Sequence, residues 1–325
     1  MRAVIYKGAG GNEVIALSER PDPVPEGDEL LVRVRYAGIN PADLQQRNGD
    51  YPPPPGAPID IPGLEVAGEV VAVGPRVLGM RVGTRVMGLV AGGGLADRVL
   101  ISERHVCIVP DNLDDLAAAA VPEGFITAHD AIRSQAALRP GEVLLVNGAT
   151  GGVGSAAVQI ARASGARVIG TSRTERGREL VTSLGAIPAD PENVAQIVQD
   201  VSAGRGADVV LELVGAPNLA TDFAVLAVLG RVMVVGVGAG AEATINLRAL
   251  MGRRGRLLAS VLRARPTEDK AIAVRAFERE VLPHLASGTV RPIVDRVFPA
   301  SDVAVAFDHV ESGVKQGKVL LDFGS

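Results

Sequence analysis

The sequence predicts an α/β protein in two parts, a β-rich domain into which a doubly wound parallel sheet is inserted. Three observations predict it. Residues 1 to about 120 break into short apolar runs separated by Gly and Pro, and from about residue 123 apolar runs alternate with segments of helical length. Past residue 290 short strand-like runs return. The expected boundaries are 1–122 for the first domain, 123–289 for the inserted one and 290–325 for the return of the chain to the first. With 325 residues, 47% of them hydrophobic and 22% charged, the chain has apolar sequence enough for two cores and is folded rather than disordered.

In the first part the strands are expected at AVIY, LLVRVRYAGI, EVAGEVVAVG, RVMGLV and DRVLI. In LLVRVRY, Val and Arg alternate at period two, the mark of a half-buried strand. Between these runs Pro52 to Pro55 fix φ four times and remove four N–H donors, so Tyr51 to Gly56 is a stiff loop. In the inserted part the alternation predicts helix 126–137, strand 143–147, helix 152–164, strand 167–170, helix 176–184, strand 208–212, helix 218–228 and strand 231–236. In the tail, IVDRVF and GKVLLDF flank a helix expected over 301–311.

Charge and composition exclude several function classes. Lys+Arg of 33 against Asp+Glu of 37 gives a net charge of -4, the wrong sign for a nucleic-acid partner. A single cysteine, Cys107, cannot form an intramolecular disulfide framework or a Cys-rich zinc cluster, and it fits a reducing compartment. MRAVIYKGAGG lacks the apolar core of a signal peptide, and no apolar run approaches the ~20 residues that span a bilayer. A cytoplasmic enzyme is the expected class, with no membrane partner.

The strongest chemical signal is VLLVNGATGGVGSAAVQIA. An apolar strand runs into Ala149-Thr150-Gly151-Gly152-Val153-Gly154, an A-x-G-x-x-G dinucleotide fingerprint, and then into a helix with small residues on its packing face. Gly151 has no Cβ to keep a pyrophosphate away, Gly154 lets helix and strand pack closely, and the helix N-terminus offers free N–H groups to the anion. A turn built only for a tight connection would not need this strand–turn–helix context. The next strand ends in Val168-Ile169-Gly170-Thr171-Ser172-Arg173-Thr174-Glu175-Arg176, with no acid at the strand end and two arginines within a turn. Ser172, Arg173 and Arg176 thus point to NADPH rather than NADH; the competing reading has the arginines solvate a helix start.

These residues, with AGINPADLQQRNGDYPPPPG, IPGLEVAGEVVAVG, PEGFITAHDAI, LASVLRARPTEDK and the closing GKVLLDF, resemble the zinc-free quinone oxidoreductase group, zeta-crystallin-like, of the medium-chain dehydrogenase/reductase superfamily. The PPPPG, PEGFITA and SVLRAR stretches are most similar to the tumour-suppressor-inducible NADPH quinone oxidoreductase branch. The resemblance covers nearly the whole chain. It implies a GroES-like β-rich catalytic domain with an inserted Rossmann domain, a homodimer, and hydride transfer from NADPH to a quinone. An enoyl or alkenal reductase of the same superfamily, and a nucleotide-loaded protein with an RNA-binding or structural role, are the alternatives. Where zinc-dependent relatives place Cys, His and Cys, this sequence has Asn40, Leu64 and Glu123, which cannot supply three zinc ligands, and His105, His129, His284 and His309 show no metal spacing.

The resemblance also implies site residues. Asn40, Tyr51 and Thr127 are expected at the nicotinamide and the acceptor. Asn40 could instead cap the helix at Pro41, Tyr51 could stack on its prolines and Thr127 could cap a helix start. Asn218 and the backbone of Val235, Gly236 and Val237 are expected beside the cofactor, although Asn218 also stands at a helix N-cap position. Arg263 and Lys318 match basic family positions and are expected among the cofactor-binding residues, Arg263 in the pocket; surface solvation is the plainer expectation for Lys318, and a structural salt bridge for Asp43 and Glu65.

Overall fold

The computed structural model describes residues 1–324. The chain divides into two compact units: Met1–Glu123 with Leu262–Gly288 and Pro292–Ser325, and Gly124–Val261 with Thr289–Arg291.

In the first unit, seven strands form one sheet. The central strand Glu29–Ile39 is antiparallel to Glu65–Val73 on one side and to Lys318–Asp322 on the other, and it also pairs with Arg98–Ser102. Arg85–Leu89 and Val106–Ile108 continue one flank; Val294–Pro299 closes the other, parallel to Lys318–Asp322. The period-two reading of LLVRVRY holds, since Val32 and Val34 are buried while Arg33 is exposed. The tail therefore does return to the first sheet. The proline run forms neither helix nor strand.

The second unit is a six-stranded, wholly parallel sheet. Its spatial order is Ile187–Ala189, Arg167–Thr171, Val143–Asn147, Ala207–Glu212, Leu226–Val234, Arg256–Ala259. Val143 to Asn147 are all buried, as a strand covered on both faces requires. The order reverses after Val143–Asn147, so the fingerprint turn opens at the switch point where parallel sheets bind ligands.

Three expected elements differ. The helix expected from residue 126 begins at Pro122 and runs through two wide π-type stretches, Pro122–Ile126 and Asp130–Gln135, around a short α-turn. The helix expected over 218–228 stops at Val225, because pairing with Ala207 draws Leu226 into a strand that ends at Val234. The segment 262–288, expected within the inserted domain, packs with the first unit. Its helix Thr267–Glu280 lies on the turn Glu103–His105, where His105 Nε2 meets the Thr267 carbonyl at 3.0 Å, and the Asn112 amide bonds the Leu285 carbonyl.

Candidate functional site

The fingerprint turn has the geometry its glycines require. Gly151 is the N-cap of helix Gly152–Ala163, and a Cβ built on it would meet nothing nearer than the Gly148 carbonyl at 3.9 Å. Thr150 to Val153 are partly exposed. Gly154 is buried, and a Cβ there would lie 2.2 Å from the Gly148 carbonyl oxygen. One glycine thus leaves space for a ligand and the other closes the packing. Ala149 is fixed beneath the turn, its N–H bonded to the Thr171 carbonyl. The residues present fit a dinucleotide: a strand, an open cradle, and the free N–H groups of a helix start.

Beyond strand Arg167–Thr171, Arg173 and Arg176 are exposed and make no ion pair with any described residue. The helix that follows is capped by Thr174, whose hydroxyl accepts from Gly177 N–H at 3.1 Å, so the arginines are not needed to start it. Arg178, not noticed in the sequence, bonds the Ser172 carbonyl and Asp190. At the other strand ends, Val235 and Gly236 N–H both bond the Glu212 carbonyl, and Val237 is exposed. Asn218 makes no side-chain cap; its amide bonds the Glu212 carboxylate at 3.1 Å. Among the described residues the buried Thr127 Oγ1 has no hydrogen-bond partner, so its hydroxyl does not cap a helix.

The first unit holds a second polar cluster. Asn40 is the N-cap of helix Pro41–Asn48 and forms a capping box with Asp43, whose carboxylate accepts Asn40 N–H at 2.8 Å and Gly63 N–H at 2.9 Å. The Asn40 amide also donates to Glu65 Oε1 at 3.0 Å and to the Gly38 carbonyl, and its oxygen accepts from Lys318 Nζ at 2.5 Å. Lys318 also ion-pairs Glu65. Contrary to the expected surface role, Lys318 is only 4% exposed, because Glu65 and Asn40 neutralise and solvate it internally. The salt bridge expected for Glu65 is present, whereas Asp43 serves two backbone N–H groups. Gly38 must be glycine, since a Cβ there would meet Glu65 Oε1 at 2.2 Å.

Burial pushes the Asp43 carboxyl up to about 6, against the two N–H groups that favour its ionised form. Glu123, partly exposed, rises to about 7 through desolvation and the repulsion of Glu65, with Lys318 opposing. Arg263 is buried: Nε donates to the Ala91 carbonyl at 2.8 Å, Nη2 to Gln46 Oε1 and Nη1 to the Tyr51 carbonyl, while its guanidinium lies 5.1 Å from the centre of the Tyr51 ring. Tyr51 is thus held by Arg263. Gln46 and Lys270, which bonds the Arg263 carbonyl, were invisible to motif reasoning.

Residues 152–278 match the zinc-binding dehydrogenase family model, and residues 26–111 match that of the alcohol dehydrogenase GroES-like domain. The chain is 35% identical to a quinone oxidoreductase of Lama guanicoe over 328 residues, covering 99% of this chain and 97% of the relative. The chain belongs to the quinone oxidoreductase family. It is an oxidoreductase with the medium-chain dehydrogenase fold. A Pseudomonas syringae quinone oxidoreductase superposes with a TM-score of 0.88 at 27% identity, covering 99% of both chains. A mycobacterial structure solved with NADPH gives the same TM-score at 27% identity, covering 99% of this chain and 100% of the other.

The zinc in the matched family's description finds no fitting donors here. Leu64 is a buried alkyl chain, Asn40 is engaged by three neighbours, and the Lys318 ammonium already occupies Glu65. Among the described residues no group of three His, Cys, Asp or Glu side chains is arranged to hold a metal. Among them, too, no helix is long and apolar enough to cross a membrane.

Proposed function

We propose that the protein is an NADPH-dependent quinone reductase that works without a metal. The observation that carries this is the pair Arg173 and Arg176, exposed and unpaired beyond a strand end without an acid, next to the open Gly151 cradle. A 2′-phosphate supplies the negative charge the two guanidinium groups lack there. The quinone is inferred from the names of the relatives, and the NADPH complex of a neighbour supports the cofactor.

Bound NADPH supplies the hydride from its nicotinamide. The chain's own residues bind and orient. The N–H groups of Gly152, Val153 and Gly154 receive the pyrophosphate, and Ser172, Arg173 and Arg176 receive the 2′-phosphate. The backbone of Val235 to Val237 orients the carboxamide, with Thr127 offering its hydroxyl. Asn40 Oδ1 keeps a lone pair for a ribose hydroxyl, and Tyr51 bounds the acceptor. Arg263 and Lys318 act through Tyr51 and Asn40, fixing their positions. A quinone spreads incoming negative charge onto oxygen, so positioning replaces Lewis-acid help.

The same reading makes the protein a cytoplasmic homodimer that binds no nucleic acid, in line with its net charge and single buried cysteine. The edge strand Arg256–Ala259, with its own Leu257 exposed, supports pairing with a second copy. Steady-state oxidation of NADPH and NADH with 1,4-benzoquinone, 9,10-phenanthrenequinone and an alkenal tests the function. Preference for the alkenal over both quinones, or for NADH, rejects it, as does stoichiometric zinc in purified protein.

A further inference from the structure

Three residues proposed to line the cofactor depend on one residue that is not among them. Val235 N–H and Gly236 N–H bond the Glu212 carbonyl at 3.0 and 3.2 Å, and the Asn218 amide bonds its carboxylate. That carboxylate is fully buried at the end of the central strand Ala207–Glu212. It also accepts Val214 N–H at 2.5 Å, Gly215 N–H at 2.7 Å and the Asn147 amide at 2.7 Å. Asn147 is the last residue of the strand that feeds the fingerprint turn. Glu212 therefore ties together the ends of three adjacent strands and the loop that carries Asn218. From this network we infer that Glu212, with the Asp222 carboxyl behind it, is a positioning residue that sets the rim of the dinucleotide site. The inference rests on the reading of that site as an NADPH site.

Asp222 is fully buried, and its Oδ1 accepts the other hydrogen of the Asn147 amide at 2.8 Å. Its Oδ2 has no partner in the ionised form, because two carboxylates offer each other only lone pairs. A proton on Asp222 supplies the missing donor. Desolvation and the repulsion of Glu212 accordingly push Asp222 up to about 8, which favours its protonated form at neutral pH. Among the described residues no cation acts on it from the elements packed on its helix Leu219–Val225. Arg231 is engaged by Glu142, Arg253 bonds the Ala224 carbonyl, and Arg248 and Asp200 are exposed.

Two variants and two readouts test this in the full-length protein: NADPH affinity by fluorescence titration from pH 6 to pH 9, and thermal melting without nucleotide. Asp222→Asn supplies a permanent N–H donor to Glu212. Its NADPH Kd should equal that of the unmodified protein at pH 6 and stay flat to pH 9, where the unmodified protein weakens about tenfold. Glu212→Gln puts an NH2 among four donors and should weaken NADPH about tenfold or more at every pH. Equal pH profiles for the unmodified protein and Asp222→Asn, or unmodified affinity in a folded Glu212→Gln, overturn the inference. If the unmodified protein itself ignores NADPH, the proposed function fails instead.

Discussion

Replacing Gly151 by alanine separates ligand binding from folding at one atom. The backbone there has φ -74° and ψ 177°, a conformation any residue adopts, and the new methyl would meet its nearest neighbour at 3.9 Å. The fold should therefore tolerate it, with a gain of about 0.4–1 kcal/mol from the reduced freedom of the unfolded chain. The same methyl stands where the backbone must approach a pyrophosphate. NADPH affinity should fall at least ~10-fold, about 1.4 kcal/mol. Gly154→Ala is the counterpart: its Cβ would sit 2.2 Å from the Gly148 oxygen and 2.8 Å from the Ala149 Cα, both backbone atoms that cannot swing aside. Its penalty falls on the fold, about 1–3 kcal/mol or more. Thermal melting without nucleotide and fluorescence titration with NADPH read the two effects separately. A Gly151→Ala protein that melts at or above the unmodified temperature yet binds NADPH undiminished would refute the placement of the pyrophosphate.

Four other outcomes follow from the same structure. Arg173→Ala and Arg176→Ala should each raise the KM for NADPH about tenfold while leaving that for NADH unchanged; equal effects on both nucleotides would mean that neither arginine meets a 2′-phosphate. Lys318→Met leaves the Glu65 carboxylate buried without its cation and should cost about 3–5 kcal/mol in urea unfolding, so a loss below about 1 kcal/mol contradicts the internal pairing. The Glu123 carboxyl, raised to about 7, holds its proton longer when folded than unfolded, and its contribution to stability is lost as pH rises from about 4.5 through 7. Glu123→Gln should therefore match the unmodified protein near pH 4 and exceed it by about 1–3 kcal/mol at pH 8, and parallel stability curves would argue against the shift. Burial pushes the Cys107 thiol up to about 12, so it should resist alkylation at pH 8 until urea unfolds the chain; rapid labelling of the native protein would contradict its burial.

The order of residues settles what is local. Short-range sterics and side-chain periodicity identify the strand Val143–Asn147, the glycine turn and the helix after it, because a Cβ clash or a buried face is decided within a few residues. The same logic found the proline loop and the missing acid before Arg173. Where one apolar run suits both helix and strand, as from Leu226 onward, local pattern could not choose, and pairing with Ala207 decided.

Which polar groups meet depends on how the chain packs. Lys318 and Asn40 lie 278 residues apart, and the bond between them exists because the strand that Lys318 opens pairs with the strand that Asn40 follows. Glu212 followed by Asn218 and Asp222, after a buried strand, was a signal open to the eye, but a buried acid at a strand end has meaning only once its donors are known. The allocation of Thr267–Glu280 to the first unit is of the same kind. Burial and hydrogen-bond partners are properties of the packed chain, and a sequence names the candidates without saying which of them desolvate one another.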